Sequence, residues 1–180
     1  DPVNDVDQEG VSMTATWQLE GVTIKSITAW RELTNTLLLD ADGQSTCFGL
    51  ELPCLHLFQD QAQDQISQEL QLQGSLFGGA VDYVAGVYYF EESNEQRTEN
   101  IILAPFGTNP YSDTFLDTDS IAVFASGTWA ATDRLNLTAG LRWTRDTKDY
   151  HSAVFESDGS PRQICADPAT REVFSDAPCT

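Results

Sequence analysis

The chain has 180 residues, the size of one ordinary domain, and its 41% of hydrophobic residues are so evenly spread that no apolar run reaches the roughly 18 of a membrane-spanning helix. A formal charge of −19, from 28 acidic residues against 9 Lys plus Arg, argues against nucleic acid as a partner, because phosphate neutralisation needs the opposite sign. Crossing a membrane with β-strands stays open, since a strand hides its apolar half by alternation.

The opening DPVNDVDQEG has no basic start followed by an apolar stretch, so it reads as mid-protein sequence rather than a secretion signal. From Val11 onward one plan repeats: an alternating strand, a short turn, a second alternating strand and a long irregular connection. The first hairpin joins residues 11–19 to residues 22–39 through Glu20 and Gly21. Val11, Met13, Ala15, Trp17 and Leu19 alternate with Ser12, Thr14, Thr16 and Gln18. On the return strand Val22, Ile24, Ser26, Thr28 and Trp30 oppose Thr23, Lys25, Ile27, Ala29 and Arg31, which leaves Ile27 on the polar side.

A long connection, about residues 40–62, holds Cys47, Cys54 and His56. The second hairpin pairs residues 63–75 with 81–92 across the LFGG stretch. Ile66, Leu70 and Leu72 share an apolar phase interrupted by Gln68, and Ser67, Glu69, Gln71 and Gln73 share the other. Val81, Tyr83, Ala85, Val87 and Tyr89 continue the apolar phase, but Val84, Tyr88 and Phe90 join Asp82 opposite, as an interior filled by other protein would allow. After a second connection over about 93–118, the third hairpin joins 119–130 to 135–146. There Leu135, Leu137, Ala139, Leu141 and Trp143 alternate with Asn136, Thr138, Gly140, Arg142 and Thr144. A tail from about residue 147 carries Cys165 and Cys179.

Short turns therefore stand at one end of every hairpin and long connections at the other, the asymmetry of an outer-membrane barrel with periplasmic turns and extracellular loops. Counting eight residues along each return strand gives Trp30 from Val22, Tyr89 from Val81 and Trp143 from Leu135. Eight residues at about 3.4 Å, tilted by about 40°, rise roughly 20 Å, close to the height of a lipid-facing band capped by aromatics. Trp17 and Trp129, near the short turns, are placed to form the opposite girdle. The expected fold is all-β: an antiparallel up-and-down transmembrane β-barrel segment of six strands in three hairpins, with long extracellular loops.

The stretch DSIAVFASGTWAATDRLNLTAGLRWTRDTKDY resembles a hairpin of TonB-dependent outer-membrane receptors. VTIKSITAWRE and ISQELQLQGSLFGGAVDYVAGVYYFEES are similar to barrel segments of the same family. The resemblance implies a barrel of about 22 strands closed around an N-terminal plug domain, set in outer-membrane lipid and energised by a TonB complex, with cargo such as a ferric siderophore. Residues 1–180 are then a partial barrel domain, with the plug, the TonB-contacting box and the remaining strands absent from the pattern. Two other readings stand beside it, a passive outer-membrane porin with the same wall physics and a soluble secreted β-sandwich that binds a ligand through its loops.

Candidate site residues are few. Arg31, Arg142 and Glu69 lie on the inward phase, suited to contact the lumen or the plug, while Arg145 is expected beyond the upper girdle. Cys47 with Cys54 and Cys165 with Cys179 are the favoured disulfide pairs because each closes a short loop, and a metal site of Cys47, Cys54 and His56 is the sharper alternative. His56 and His151 fall in loops without a nucleophile arrangement, so the chain reads as no enzyme and implies no cofactor. Asp1, Asp5 and Asp7, and Asp113, Asp117 and Asp119, lack a calcium-loop pattern and read as solvated carboxylates. Phe106 and Tyr111 are loop residues suited to touch cargo, whose identity the sequence does not give.

Overall fold

The computed structural model describes residues 3–41, 43, 55–102, 109–161, 165–166 and 173–174. Six strands follow one another: β1 Val3–Leu19, β2 Val22–Asp40, β3 Leu55–Leu76, β4 Val81–Ile102, β5 Tyr111–Thr132 and β6 Leu135–Phe155. Each pairs antiparallel with its sequence neighbours in a single sheet of order β1-β2-β3-β4-β5-β6. A separate two-residue ladder, β7 Cys165–Ala166 with β8 Val173–Phe174, lies in the tail.

Local chemistry sets the three short turns. Gly21, at φ +79°, closes the two-residue β1–β2 turn in the left-handed region that a side chain disfavours. Between β3 and β4 a 3₁₀ turn, Phe77–Gly79, passes through positive φ at Phe77, Gly78 and Gly79. Asp133 and Arg134 link β5 to β6, where the register slips between Ala130 and Thr132 in a β-bulge.

At the turn ends the strands stop within two residues of where the alternation places them. At the opposite ends the strands run further than expected, so part of each expected loop is strand. β1 begins at Val3 rather than 11, β3 at Leu55 rather than 63, and β5 at Tyr111 rather than 119, while β4 runs to Ile102 and β6 to Phe155. In these extensions both faces are polar or mixed, so the period-two signal vanishes although the backbone ladder continues. Tyr111 is consequently a strand residue, and Phe106 lies outside the described residues.

The register also fixes a tilt. Val22 faces Gly74, whereas Val81 faces Leu76, two residues nearer the turn. Val81 in turn faces Trp129, which faces Leu137, two residues past the start of β6. Successive hairpins are thus displaced by two residues, or one per strand. A step of about 3.4 Å along the chain for every 4.8 Å across it is a slope of about 35°, the strand tilt of a barrel wall.

No second layer covers this sheet among the described residues. Ala122 is the one fully buried apolar side chain, while Met13 is 66% exposed, Leu141 85%, Leu137 50% and Val87 48%. The soluble-sandwich reading, which requires those four in a dry centre between facing layers, is therefore set aside. β1 and β6 form the two edges of the sheet.

Candidate functional site

The two faces of the sheet differ. On one, pairing places Val11 beside Trp30, Trp30 beside Ile66, Met13 beside Thr28, Leu70 beside Val87 and Val123 beside Trp143. The stagger aligns the expected aromatic residues. Trp30 lies in a row that meets β4 at Glu91, two residues past Tyr89, and the row of Tyr89 meets β6 at Arg145, two past Trp143. Once the shift of one residue per strand is taken out, Trp30, Tyr89 and Trp143 share one level. At the turn end Trp17 faces Ile24, and Trp129 faces Leu137, each two residues into its return strand. The equivalent place in the second hairpin belongs to Tyr83, opposite Gly74, whose missing Cβ gives the Tyr83 ring its room. Sequence reading put Tyr83 on the apolar phase without assigning it to that level; only the register does so.

The residues that broke the apolar alternation meet one another. Thr28 donates from Oγ1 to Gln68 Oε1 at 2.5 Å, and Gln68 Nε2 donates to Ser26 Oγ at 2.9 Å. Three polar side chains on the apolar face thereby satisfy each other.

The opposite face explains the excess of aromatics on the polar phase of β4. Arg142 holds its guanidinium 5.5 Å from the Tyr88 ring centre and 5.8 Å from that of Phe124, while Nε donates to Thr144 Oγ1 at 3.1 Å. Tyr88 stacks on Phe90 with centroids 6.5 Å apart. Phe124 lies across Gly86, where an added Cβ would come within 2.6 Å of its ring. Cation–π contact on two rings holds the guanidinium against this face. Beside this cluster Gln71 Nε2 donates to Glu69, and Gln73 Nε2 donates to Gln71 Oε1 at 2.5 Å. Arg31 lies in a row with Gln65, Glu92, Thr118 and Lys148, its side chain against Gly10. Arg31, Glu69 and Arg142 share a face but stand on β2, β3 and β6 and make no common cluster.

Past the aromatic level the face changes character. Glu9 faces Glu32, Glu32 faces Asp64, Glu91 faces Asp119 and Asp117 faces Asp149, so carboxylates succeed apolar groups within one row. Tyr89 donates from its hydroxyl to Glu91 at 3.0 Å and to Asp119 at 3.3 Å, its ring on the apolar side and its oxygen on the acidic one. Further along, Arg97 grips Asp113 through Nε at 2.7 Å and Nη2 at 3.0 Å, which raises the guanidinium above its ordinary value. Asp117 accepts from Ser93 at 2.8 Å, so the Asp113, Asp117 and Asp119 series is strung along one strand with separate partners. His151 tilts against Phe115 at 6.4 Å, and His56 sits opposite Asp40 and Ile101. Cys47, Cys54 and Cys179 lie outside the described residues, as does the side chain of Cys165. Among the described residues no group of three potential ligands converges on a metal position.

Comparison with known proteins follows the same lines. A family model described as "TonB dependent receptor-like, beta-barrel" matches residues 1–164. No curated protein matches the sequence. Among solved structures, the ferric yersiniabactin uptake receptor FyuA from Yersinia pestis superposes with a TM-score of 0.71 at 18% identity, over 89% of this chain and 23% of that one. At that identity the likeness is one of fold, and the chain spans about a quarter of the receptor's length.

Proposed function

The chain belongs to the TonB-dependent receptor-like β-barrel family, and from that premise we propose that it forms part of the wall of an outer-membrane receptor for energised uptake of a scarce nutrient of the ferric-siderophore class. The observation that carries this reading is the apolar band, which keeps one phase through six strands and changes to carboxylates at an aromatic level. From Val22 to Trp30, eight steps at about 35° rise roughly 22 Å, the height of an outward apolar belt.

In this reading Trp17, Tyr83 and Trp129 form the periplasmic girdle, and Trp30, Tyr89 and Trp143 the outer one. The β-extensions continue past the outer leaflet, with the connections beyond them extracellular. The opposite face looks into the lumen. There Arg142, pinned on Tyr88 and Phe124, together with Arg31 and Glu69, contacts the plug domain. Two edge strands leave unpaired backbone that hydrocarbon would penalise by several kcal/mol per group, so neighbouring barrel strands are required on both sides. Energy comes through a TonB complex that engages a plug; the family assignment favours this over a passive porin, and nothing in the site points to catalysis.

Uptake of a radiolabelled ferric siderophore by iron-starved cells expressing the full receptor tests the reading. Accumulation should depend on the receptor gene and collapse with a protonophore or without TonB. Receptor-dependent entry that survives loss of the proton gradient would instead establish a passive porin.

A further inference from the structure

The carboxylates of the strand extensions are not shared evenly between the two faces. Past the level of Trp30, Tyr89 and Trp143, the face that carries the apolar band presents Glu9, Glu32, Asp64, Asp117 and Asp149 in a single row, interrupted only at Ser93. Asp5, Asp60 and Asp113 share a further row with Arg97, which pairs with Asp113. On the opposite face the rows are amide and hydroxyl: Asn35, Gln61, Gln96, Thr114 and Ser152 are successive register partners. Their neighbours continue the same chemistry. Gln61 Nε2 donates to Asn94 Oδ1 at 3.4 Å, Gln96 Nε2 donates to Thr98 Oγ1 at 3.1 Å, and the Thr114 and Ser152 hydroxyls lie 3.2 Å apart.

Charge on that second face is scarce and balanced in sign. Within the six strands past the aromatic level it consists of Arg31, Glu92, Asp146 and Lys148. Glu92 accepts from Gln63 Nε2 at 2.6 Å, and Asp146 accepts from Ser120 Oγ at 2.6 Å. Arg31 and Lys148 stand at opposite ends of one row with Glu92 midway between them, so the two cations do not converge on one anion.

Such a face suits one class of solute and opposes another. A primary amide offers donors and acceptors together, so a ladder of them meets the hydroxyl and amide groups of a cargo in either sense. A polyanion finds no cation cluster there to replace its hydration. Because the wall is a single sheet, the carboxylate rows on its other side lie within roughly one Debye length and add repulsion.

We propose that the amide and hydroxyl face of the extensions selects an electroneutral ferric chelate, in which three hydroxamates balance the iron charge, over a ferric triscatecholate, which keeps three negative charges. This names the kind of cargo within the siderophore-uptake reading and rests on that reading, with this face turned inward.

The purified full receptor is titrated with the neutral trihydroxamates ferrichrome and ferric coprogen and with the trianionic triscatecholate ferric enterobactin, and quenching of tryptophan fluorescence gives each Kd. The better of the neutral chelates should bind at least about tenfold more tightly than ferric enterobactin. Gln61→Arg with Gln96→Arg should shrink that ratio about tenfold, because each places a cation on the inner side. Thr34→Arg with Ala62→Arg adds the same charge at nearly the same height on the outer side and should change the ratio by less than about twofold. Tighter binding of ferric enterobactin by the unaltered receptor, or equal shifts from the two pairs of variants, overturns the neutral-cargo proposal and leaves the siderophore reading in place. Failure of all three chelates to bind overturns the siderophore reading and the proposal with it.

Discussion

Replacing Leu70 with arginine isolates the difference between the two faces. Leu70 is paired with Ser26, midway between the rows of Val22 and Trp30, and is 43% exposed on the apolar side. At about 2.8 Å of rise per residue, and with the shift of one residue per strand taken out, it lies roughly 8–11 Å from either aromatic level, close to mid-membrane. A cation at that depth costs about 2–4 kcal/mol, or a 30- to 700-fold loss in the folded-to-unfolded ratio. Gln73→Arg provides the control on the same strand. Gln73 faces Thr23 and Val84 on the polar side and gives up a single hydrogen bond to Gln71, so its cost should stay near 1 kcal/mol. Guanidinium unfolding of the full receptor in lipid vesicles, followed by tryptophan fluorescence, reads both. Equal costs for the two variants, or a larger one for Gln73→Arg, would refute the assignment of faces.

Three smaller predictions follow from individual contacts. Thr28→Val leaves Gln68 Oε1 without its donor inside the apolar band and should cost about 1–3 kcal/mol in the same unfolding assay. Adding Ser26→Ala and Gln68→Leu should recover most of that loss, and a purely additive result would contradict a mutually satisfied cluster. Gly86→Val places a Cβ within 2.6 Å of both the Leu70 carbonyl and the Phe124 ring, so it should cost about 1–3 kcal/mol. Phe124→Leu should then relieve only part of it, because the backbone oxygen remains. In the turn after β6, Asp158 accepts hydrogen bonds from Ser160, which hold its carboxyl below the ordinary range. With the folded value lowered, that turn is fully favoured above the ordinary carboxylate range and loosens as pH falls through the lowered value. The Ser160 amide resonance should follow this titration and lose it in Asp158→Asn.

How much the sequence disclosed depended on whether a strand's two sides differed. Where hydrocarbon would meet one side, as from Leu135 to Trp143, alternation located the strand, its phase and its aromatic end. Where both sides face water or polar groups, as along Gln59, Asp60, Gln61 and Gln63, nothing in the side chains marks a strand, and only pairing with β2 and β4 extends β3 to Leu55. Gln68, an apparent error of pattern, acquires its reason from two residues some forty positions away, a relation fixed by register. The same holds for Tyr83, whose level follows from its pairing with Gly74, and for Arg142, whose seat on Tyr88 and Phe124 joins three strands. Arg31 and Arg142 were legible as cations on the polar phase, but their partners were not, since β-pairing converts sequence distance into contact in ways alternation does not encode.

The central claim, that one face of this sheet lies against hydrocarbon and the other does not, is tested most directly by spin labels introduced singly at positions 135–144 of the full receptor in lipid vesicles. Collision with oxygen, which concentrates in the bilayer, should rise and fall with a period of two and peak at 137, 139, 141 and 143. Accessibility that is uniform along the strand, or low at those four positions, would contradict it.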